Sequence, residues 1–350
     1  MKRDARSGNG LGQLGEFGLI DRIAARFGHG EGTGPEGEAF LGIGDDCTVL
    51  PVGFWTGSEW AGAPIDLADD RLNDRQGDLP GENAPLLLAT TDLLLEGSHF
   101  RIDWTTPDDL GRKSLAVNLS DIAAMGGTPF GALLAIGLPP GLSLDWVDRF
   151  LDGVHALCQE HGVELLGGDT TQSRHGVVID FTVLGRVGAD QIRLRSHARP
   201  GDVVAMTGWP GESGAGLAWL LENEPAESSG GRVGEPSSLP DAPYRPDPGA
   251  ADPALARLLR AHHNPRVFVR EGAFLGRTDG VGAMLDLSDG LLSDAGHIAR
   301  RSGCDVRLDA ENLPISDALR TVCARKDWDP LRLALSAGED YGLLFTLRPD

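Results

Sequence analysis

The chain has 350 residues, enough for about two domains with sizeable cores. Its 31 Lys and Arg against 52 Asp and Glu leave a net charge of −21, which disfavours nucleic acid or anionic lipid as a partner, since both need clustered cations. Four scattered cysteines form no C-x-x-C pair, the basic N-terminus has no apolar stretch behind it, and no run approaches the ~20 apolar residues of a membrane span. A soluble, cytoplasmic protein with reduced thiols is expected.

In chain order, short apolar runs predict strands at 86–90, 131–138, 163–166, 177–187, 202–207, 282–287 and 341–347. Helices are expected between them. The first opens at Thr106-Pro107-Asp108-Asp109, with a Thr cap, Pro at the first helical position and acids in the first turn. A second spans 144–161 behind Ser143, a third follows Ser213, and others cover about 266–276 and 289–302. His262-His263, before Asn264-Pro265, read as the end of a helix. The stretch 193–202, with its Pro200-Gly201 turn, divides two α/β halves at about 15–190 and 195–350. Two segments, 54–84 and 223–252, are rich in Gly, Pro, Ser and acids and read as surface insertions that hold much of the acidic surplus.

Other acids fall where solubility does not need them. Asp92, Asp169 and the Asp286/Asp289 pair follow apolar runs in small-residue turns, and Asp45 and Asp46 precede one. The C-terminal edge of a sheet is where α/β proteins place ligands, so these acids are expected there. Asp121 differs, because it lies inside an apolar helix and shares a face with Asn118, one turn from Ser114. A buried carboxylate needs a cation; Lys113 or Arg112 could serve, and a metal better. Each Asp alone has the ordinary explanation of a turn or cap. Together, hard oxygen donors without a Cys or His cluster suit several Mg²⁺ ions beside a phosphate.

The usual phosphate cradles are missing. Gly111-Arg112-Lys113-Ser114 lacks the Gly-Lys step of a P-loop, and neither H-R-D nor D-F-G occurs. A G-x-G-x-x-G string at Gly10, Gly12 and Gly15 follows no strand. Gly167-Gly168-Asp169-Thr170 and Ser288-Asp289-Gly290 are better candidates, the second opening a helix. Arg195 offers a phosphate-binding fork, His99 ends the Asp92 segment, and Glu339-Asp340 sit in a turn before the last strand. No side chain looks like an activated nucleophile or general base.

The segments GEFGLI (15–20), GIGDD (42–46), TTDLLLEGSHF (90–100), KSLAVNLSDIAAMGGTP (113–129), GGDTT (167–171), LDLSDGLLSD (285–294) and SAGEDYGLLF (336–345) together resemble the thiamine-monophosphate kinases. These belong to the aminoimidazole-ribonucleotide synthetase-like superfamily. The resemblance implies an α/β fold of the α+β type. An N-terminal domain (15–190) would bind Mg²⁺ and ATP and pair its sheet with that of a second copy in a dimer barrel; a C-terminal α/β domain (195–350) would follow. The family pattern continues past G-E-D-Y, so more strand and helix is expected than the residues up to Asp350 supply. The resemblance also implies ATP-dependent phosphorylation of thiamine monophosphate to thiamine diphosphate by a homodimer. By motif, Asp46, Thr90, Thr91, Asp92, Asp121, Asp169, Asp286 and Asp289 would hold metal. Gly168, Asp169, Arg195 and Ser288 would contact ATP, and His99 and Glu339 the acceptor. Another ATP-using synthetase of the superfamily, or an inactive nucleotide-binding homologue, stays open as an alternative; a selenophosphate synthetase would need an early reactive Cys, and none precedes Cys47.

Overall fold

The computed structural model describes residues 31–33, 39–41, 46–51, 85–223 and 252–349. The two polar segments (apart from Asn223 and Asp252), the Gly10–Gly15 string and Asp45 lie outside the described residues. Among the described residues the N-terminal half contains β1 (Glu31–Thr33), β2 (Ala39–Leu41), β3 (Thr48–Pro51), β4 (Pro85–Leu95), α1 (Pro107–Ala124), β5 (Thr128–Leu138), α2 (Leu144–His161), β6 (Glu164–Gln172) and β7 (Val178–Gly188). Their strands form one sheet in the order β1-β2-β3-β4-β7-β5-β6. Every pairing is antiparallel except β5 with β6. The sheet therefore has no common C-terminal edge, and the expectation that ligands gather at one is corrected.

The acids are placed by strand parity instead. Strand β4 runs eleven residues, so Asp92 lies within it rather than in a turn. Asp169 likewise lies inside β6. Thr and Gly favour turns locally; the pairing of β4 with β7 and of β6 with β5 outweighs that preference. Successive side chains alternate between faces. Leu86, Leu88, Thr90 and Leu94 of β4, Ile179, Phe181 and Val183 of β7, and Ala132, Leu134 and Ile136 of β5 are buried. The other face leaves Leu93, Phe130 and Leu133 exposed, with Leu165 and Leu166 of the wholly exposed strand β6.

Helix α1 lies over the buried face and also touches the second sheet. It starts as expected: Thr106 Oγ1 accepts the Asp109 N–H at 3.1 Å, and Pro107 occupies the first turn. Fourteen of its 18 residues are buried, because it has protein on nearly every side. Its crossing with α2 is close: a Cβ at Gly111 would lie 2.1 Å from the Phe150 carbonyl oxygen, and one at Gly153 would lie 2.0 Å from that of Asp108. Helix α2 matches the predicted 144–161, capped by Ser143 and ended by Gly162 with φ +66°.

The connector leads into β8 (Val203–Met206), α3 (Glu212–Glu222), α4 (Pro253–His263), α5 (Val269–Gly276), β9 (Val281–Asp286), α6 (Leu291–Ser302), α7 (Asp317–Lys326), α8 (Pro330–Ser336) and β10 (Leu343–Leu347). The three strands pair antiparallel in the order β8-β10-β9. Helices α7 and α8 were not anticipated; both begin on a side-chain cap, at Ser316 and Asp329. Helix α4 does end at His263. No described helix is long and apolar enough to cross a membrane.

Candidate active site

Helix α1 brings the two sheets together, and the acids collect along it. From β4, Thr90 Oγ1 donates to Asp121 Oδ2 at 2.5 Å. One residue before Asp121, Ser120 Oγ donates to Asp286 Oδ2 at 2.7 Å, at the end of β9. Asp46, ahead of β3, faces both: one carboxylate oxygen from each of Asp46, Asp121 and Asp286 lies within 4.8 Å of the others. Arg195 of the connector holds Asp46 from the other side, Nη2 to Oδ1 at 2.5 Å. Neither expected cation pairs with Asp121. Arg112 bonds Glu160 at 2.8 Å and Lys113 bonds Glu339 at 2.9 Å, because the first turns of α1 point them elsewhere.

Burial decides the protonation here. It raises Asp121 and Asp286 well above the usual carboxylate range; the charges of Asp92, Asp286 and Asp46 add for Asp121, and that of Asp46 for Asp286. Asp92 is pushed up to about 6 by burial, with further push from Asp180 and Asp46 and relief from a hydrogen bond with Asp121. Three or four acids crowded without a cation are costly, and a bound divalent cation would remove that cost. Their donor set is all oxygen, as Mg²⁺ requires. Asn118, on the same face of α1, is fully buried with its Oδ1 unpaired among the described residues. The residues present therefore fit a metal.

Two predicted ligands do not join the group. Thr91 has the opposite parity to Thr90 and Asp92, and its hydroxyl faces Asp180 at 3.2 Å on the open side of the sheet. Asp169 pairs with Ala135, also on the open face. Across the ladder Asp92, Phe181, Leu134 and Gly168 stand in one row, which puts Asp169 three strand spacings, about 14 Å, from Asp92. Gly168 is needed where it stands: at φ +152° a Cβ would lie 1.7 Å from the Leu134 carbonyl oxygen.

Asp289 gathers separately with Asp294 and His297, their ligand atoms within 4.8 Å of one another. Asp294 Oδ2 accepts the Asp289 N–H at 3.3 Å, and burial together with the Asp289 charge raises Asp294 to about 7. Ser288 is exposed at the same turn, where its carbonyl accepts the Glu339 N–H at 2.8 Å. Glu339 and Tyr341 both take positive φ, 62° and 50°, a strain of about 1–3 kcal/mol each that functional loops commonly hold. Between them, Asp340 accepts the N–H groups of Gly211 at 2.6 Å and Ser213 at 3.1 Å at the start of α3; burial pushes it up to about 7.

Two cavities meet here. The smaller, about 140 Å³, is lined by Asp92, Asp121, Asp286, Ser288 and Tyr341 among others. The larger, about 340 Å³, has Phe100, Trp104, Leu110, His262 and His263 in its wall. His99 lines both, its Nδ1 accepting the Leu95 N–H at 3.0 Å. Sequence reasoning missed the roles of Ser120, Tyr341, Asp294, His297 and His262; the first two and Asp294 lie within motifs noted for their acids, and the partner of Ser120, Asp286, is 166 residues away.

The chain as a whole is similar to known proteins. The family described as AIR synthase related protein, N-terminal domain, matches residues 78–187. A thiamine-monophosphate kinase from Salmonella typhimurium is 36% identical over 95% of this chain and 82% of its own length. One from Aquifex aeolicus is 32% identical over 96% and 87%. The chain belongs to the thiamine-monophosphate kinase family. Its two-domain fold follows suit: a structure of AaThiL complexed with AMPPCP and TMP superposes with a TM-score of 0.72 at 30% identity, covering 97% of this chain and 87% of that one.

Proposed function

We propose that this protein transfers the γ-phosphoryl group of ATP to the phosphate of thiamine monophosphate, giving thiamine diphosphate and ADP. The observation that carries this reading is the buried Asp46–Asp121–Asp286 group opening into an aromatic-walled cavity. The kinase names of relatives and the nucleotide and substrate in the AaThiL complex support it. Asp46, Asp92, Asp121 and Asp286 would hold Mg²⁺, with the hydroxyls of Thr90 and Ser120 fixing two of the carboxylates. Bound there, Mg²⁺ would neutralise phosphate charge that the acids alone repel. Thr91 could contribute only its backbone, and Asp289 a further site with Asp294 and His297.

ATP would be met by Ser288 at the turn before α6 and by the guanidinium of Arg195, and the acceptor by His99 and Glu339. The acceptor oxygen is already anionic, so in-line alignment and charge neutralisation are needed more than a base. The residues 15–190 and 195–350 are assigned as the two functional halves.

A homodimer completes the reading. Exposed Leu93, Phe130, Leu133 and Leu166 give the open face of the sheet an apolar character suited to a second copy. Asp169 and Gly168, on the exposed edge strand, would then serve the nucleotide site of that copy rather than their own. The test is ADP release by the purified protein with ATP and Mg²⁺. Release that requires thiamine monophosphate, with no phosphorylated protein trapped, supports direct transfer. Bound nucleotide without acceptor-dependent ADP points to the inactive homologue, and a labelled protein competent to pass its phosphate on sinks the direct mechanism.

A further inference from the structure

The two cavities share three residues, His99, Lys113 and Glu339. Lys113 is the permanent cation of the three. It comes from α1, its side chain is 5% exposed, and Glu339 is the hydrogen-bond partner found for it among the described residues, Nζ to Oε2 at 2.9 Å. An ammonium has three N–H donors, so two remain for something else. A buried lysine with one partner is expensive unless it has a further use. Glu339 is held independently of it: His262 Nδ1 lies 3.3 Å from the same oxygen, and the loop fixes its backbone at φ 62°.

Resting on the kinase reading above, we propose that Lys113 selects the acceptor by its charge: the ammonium takes the phosphate of thiamine monophosphate at the mouth of the acidic cleft, while Glu339 faces the cationic thiazolium in the larger cavity. Thiamine monophosphate carries an anionic phosphate and a cationic ring on a short linker. The Lys113–Glu339 couple presents the complementary pair of charges where the two cavities join. Of the residues that the two cavities share, Lys113 is the permanent cation a phosphate meets, beside any Mg²⁺ held by Asp92, Asp121 and Asp286. The aromatic wall suits the flat rings, and the other permanent cation of the larger cavity, Arg101, is held by Asp103 at 2.8 Å.

The test compares binding of thiamine monophosphate and of thiamine, by calorimetry, to the wild type, Lys113→Met and Glu339→Gln. With Lys113→Met, affinity for thiamine monophosphate should fall about 10–100-fold, that for thiamine by no more than about threefold, and the KM for ATP should hold. Glu339→Gln should weaken both ligands and keep the preference for the phosphorylated one, which tests the claim even where Lys113→Met does not fold. A Lys113→Met protein that keeps the preference, or loses both ligands equally, overturns the proposal, and so does a Glu339→Gln protein that loses the preference. Wild-type protein that binds thiamine monophosphate but does not phosphorylate it would instead sink the kinase reading.

Discussion

Strand β4 places near-identical side chains in two different worlds. Thr90 and Asp92 enter the layer beneath α1, where Thr90 bonds Asp121 at 2.5 Å and burial lifts Asp92 to about 6. Thr91 faces outward and shares a longer contact with Asp180, at 3.2 Å, on a side that water reaches. The covered face thus turns carboxylates into a crowded group that a cation would stabilise, and the open face leaves the same chemistry ordinary. Asp169 belongs to the second class within its own chain, and in the dimer proposed above it would join the first in the other copy.

The largest effect should come from the covered face. Asp121→Asn or Asp286→Asn should lower kcat by about a thousandfold or more with the fold retained, as removal of central charge-stabilising groups does. Thr91→Val should change it by no more than about threefold, since its hydroxyl lies on the other side. Equal losses from Asp121→Asn and Thr91→Val would erase the distinction between the faces. Asp169→Asn sharpens it. Alone it should be inactive, yet co-expression with Asp121→Asn should restore about a quarter of the wild-type rate, because half the assemblies are mixed and each mixed dimer has one intact site. No recovery would put Asp169 in the site of its own chain.

Protonation separates the faces more gently. Asp92 near 6 and Asp294 and Asp340 near 7 all stand above the 3.8 of an unfolded aspartate. At these three acids the folded state binds more protons than the unfolded one, so their contribution makes stability fall as pH rises from about 4 to about 7. Against it stands the smaller opposite pull of His161, His262 and His297, whose pKa values burial lowers. Melting in EDTA should therefore come at a lower temperature near pH 8 than near pH 5, and Mg²⁺ with an ATP analogue should recover part of the loss at pH 8. A higher Tm at the alkaline end without metal would contradict the account. The smallest effect on chemistry should come from Gly153→Ala. The new Cβ collides with the Asp108 backbone and should cost about 2 kcal/mol of stability, read by denaturant, with KM unchanged.

Local chemistry made much of the frame legible. The Thr106 and Ser143 caps located α1 and α2, and alternating apolar residues located β7 within a residue of its bounds. What it did not reveal is where Asp92 and Asp169 sit, because Thr-Thr-Asp and Gly-Gly-Asp read as turns until eleven pairs with β7 and eight pairs with β5 carry them through the sheet. The partners within the site were equally hidden. Ser120 meets Asp286 across 166 residues and Lys113 meets Glu339 across 226, and no pattern along the chain encodes such a meeting. The motif resemblance named the acids as a set, and the folded chain divides them between the covered and open faces.

The metal itself can be watched directly. Mn²⁺, which takes the same oxygen ligands as Mg²⁺, can be titrated into the protein with a non-hydrolysable ATP analogue and followed by electron paramagnetic resonance. Bound Mn²⁺ in the wild type, with at least one ion lost in Asp121→Asn and in Asp286→Asn while the analogue still binds, is the predicted result. Unchanged Mn²⁺ stoichiometry in both variants would contradict the claim that the covered-face carboxylates form the metal site.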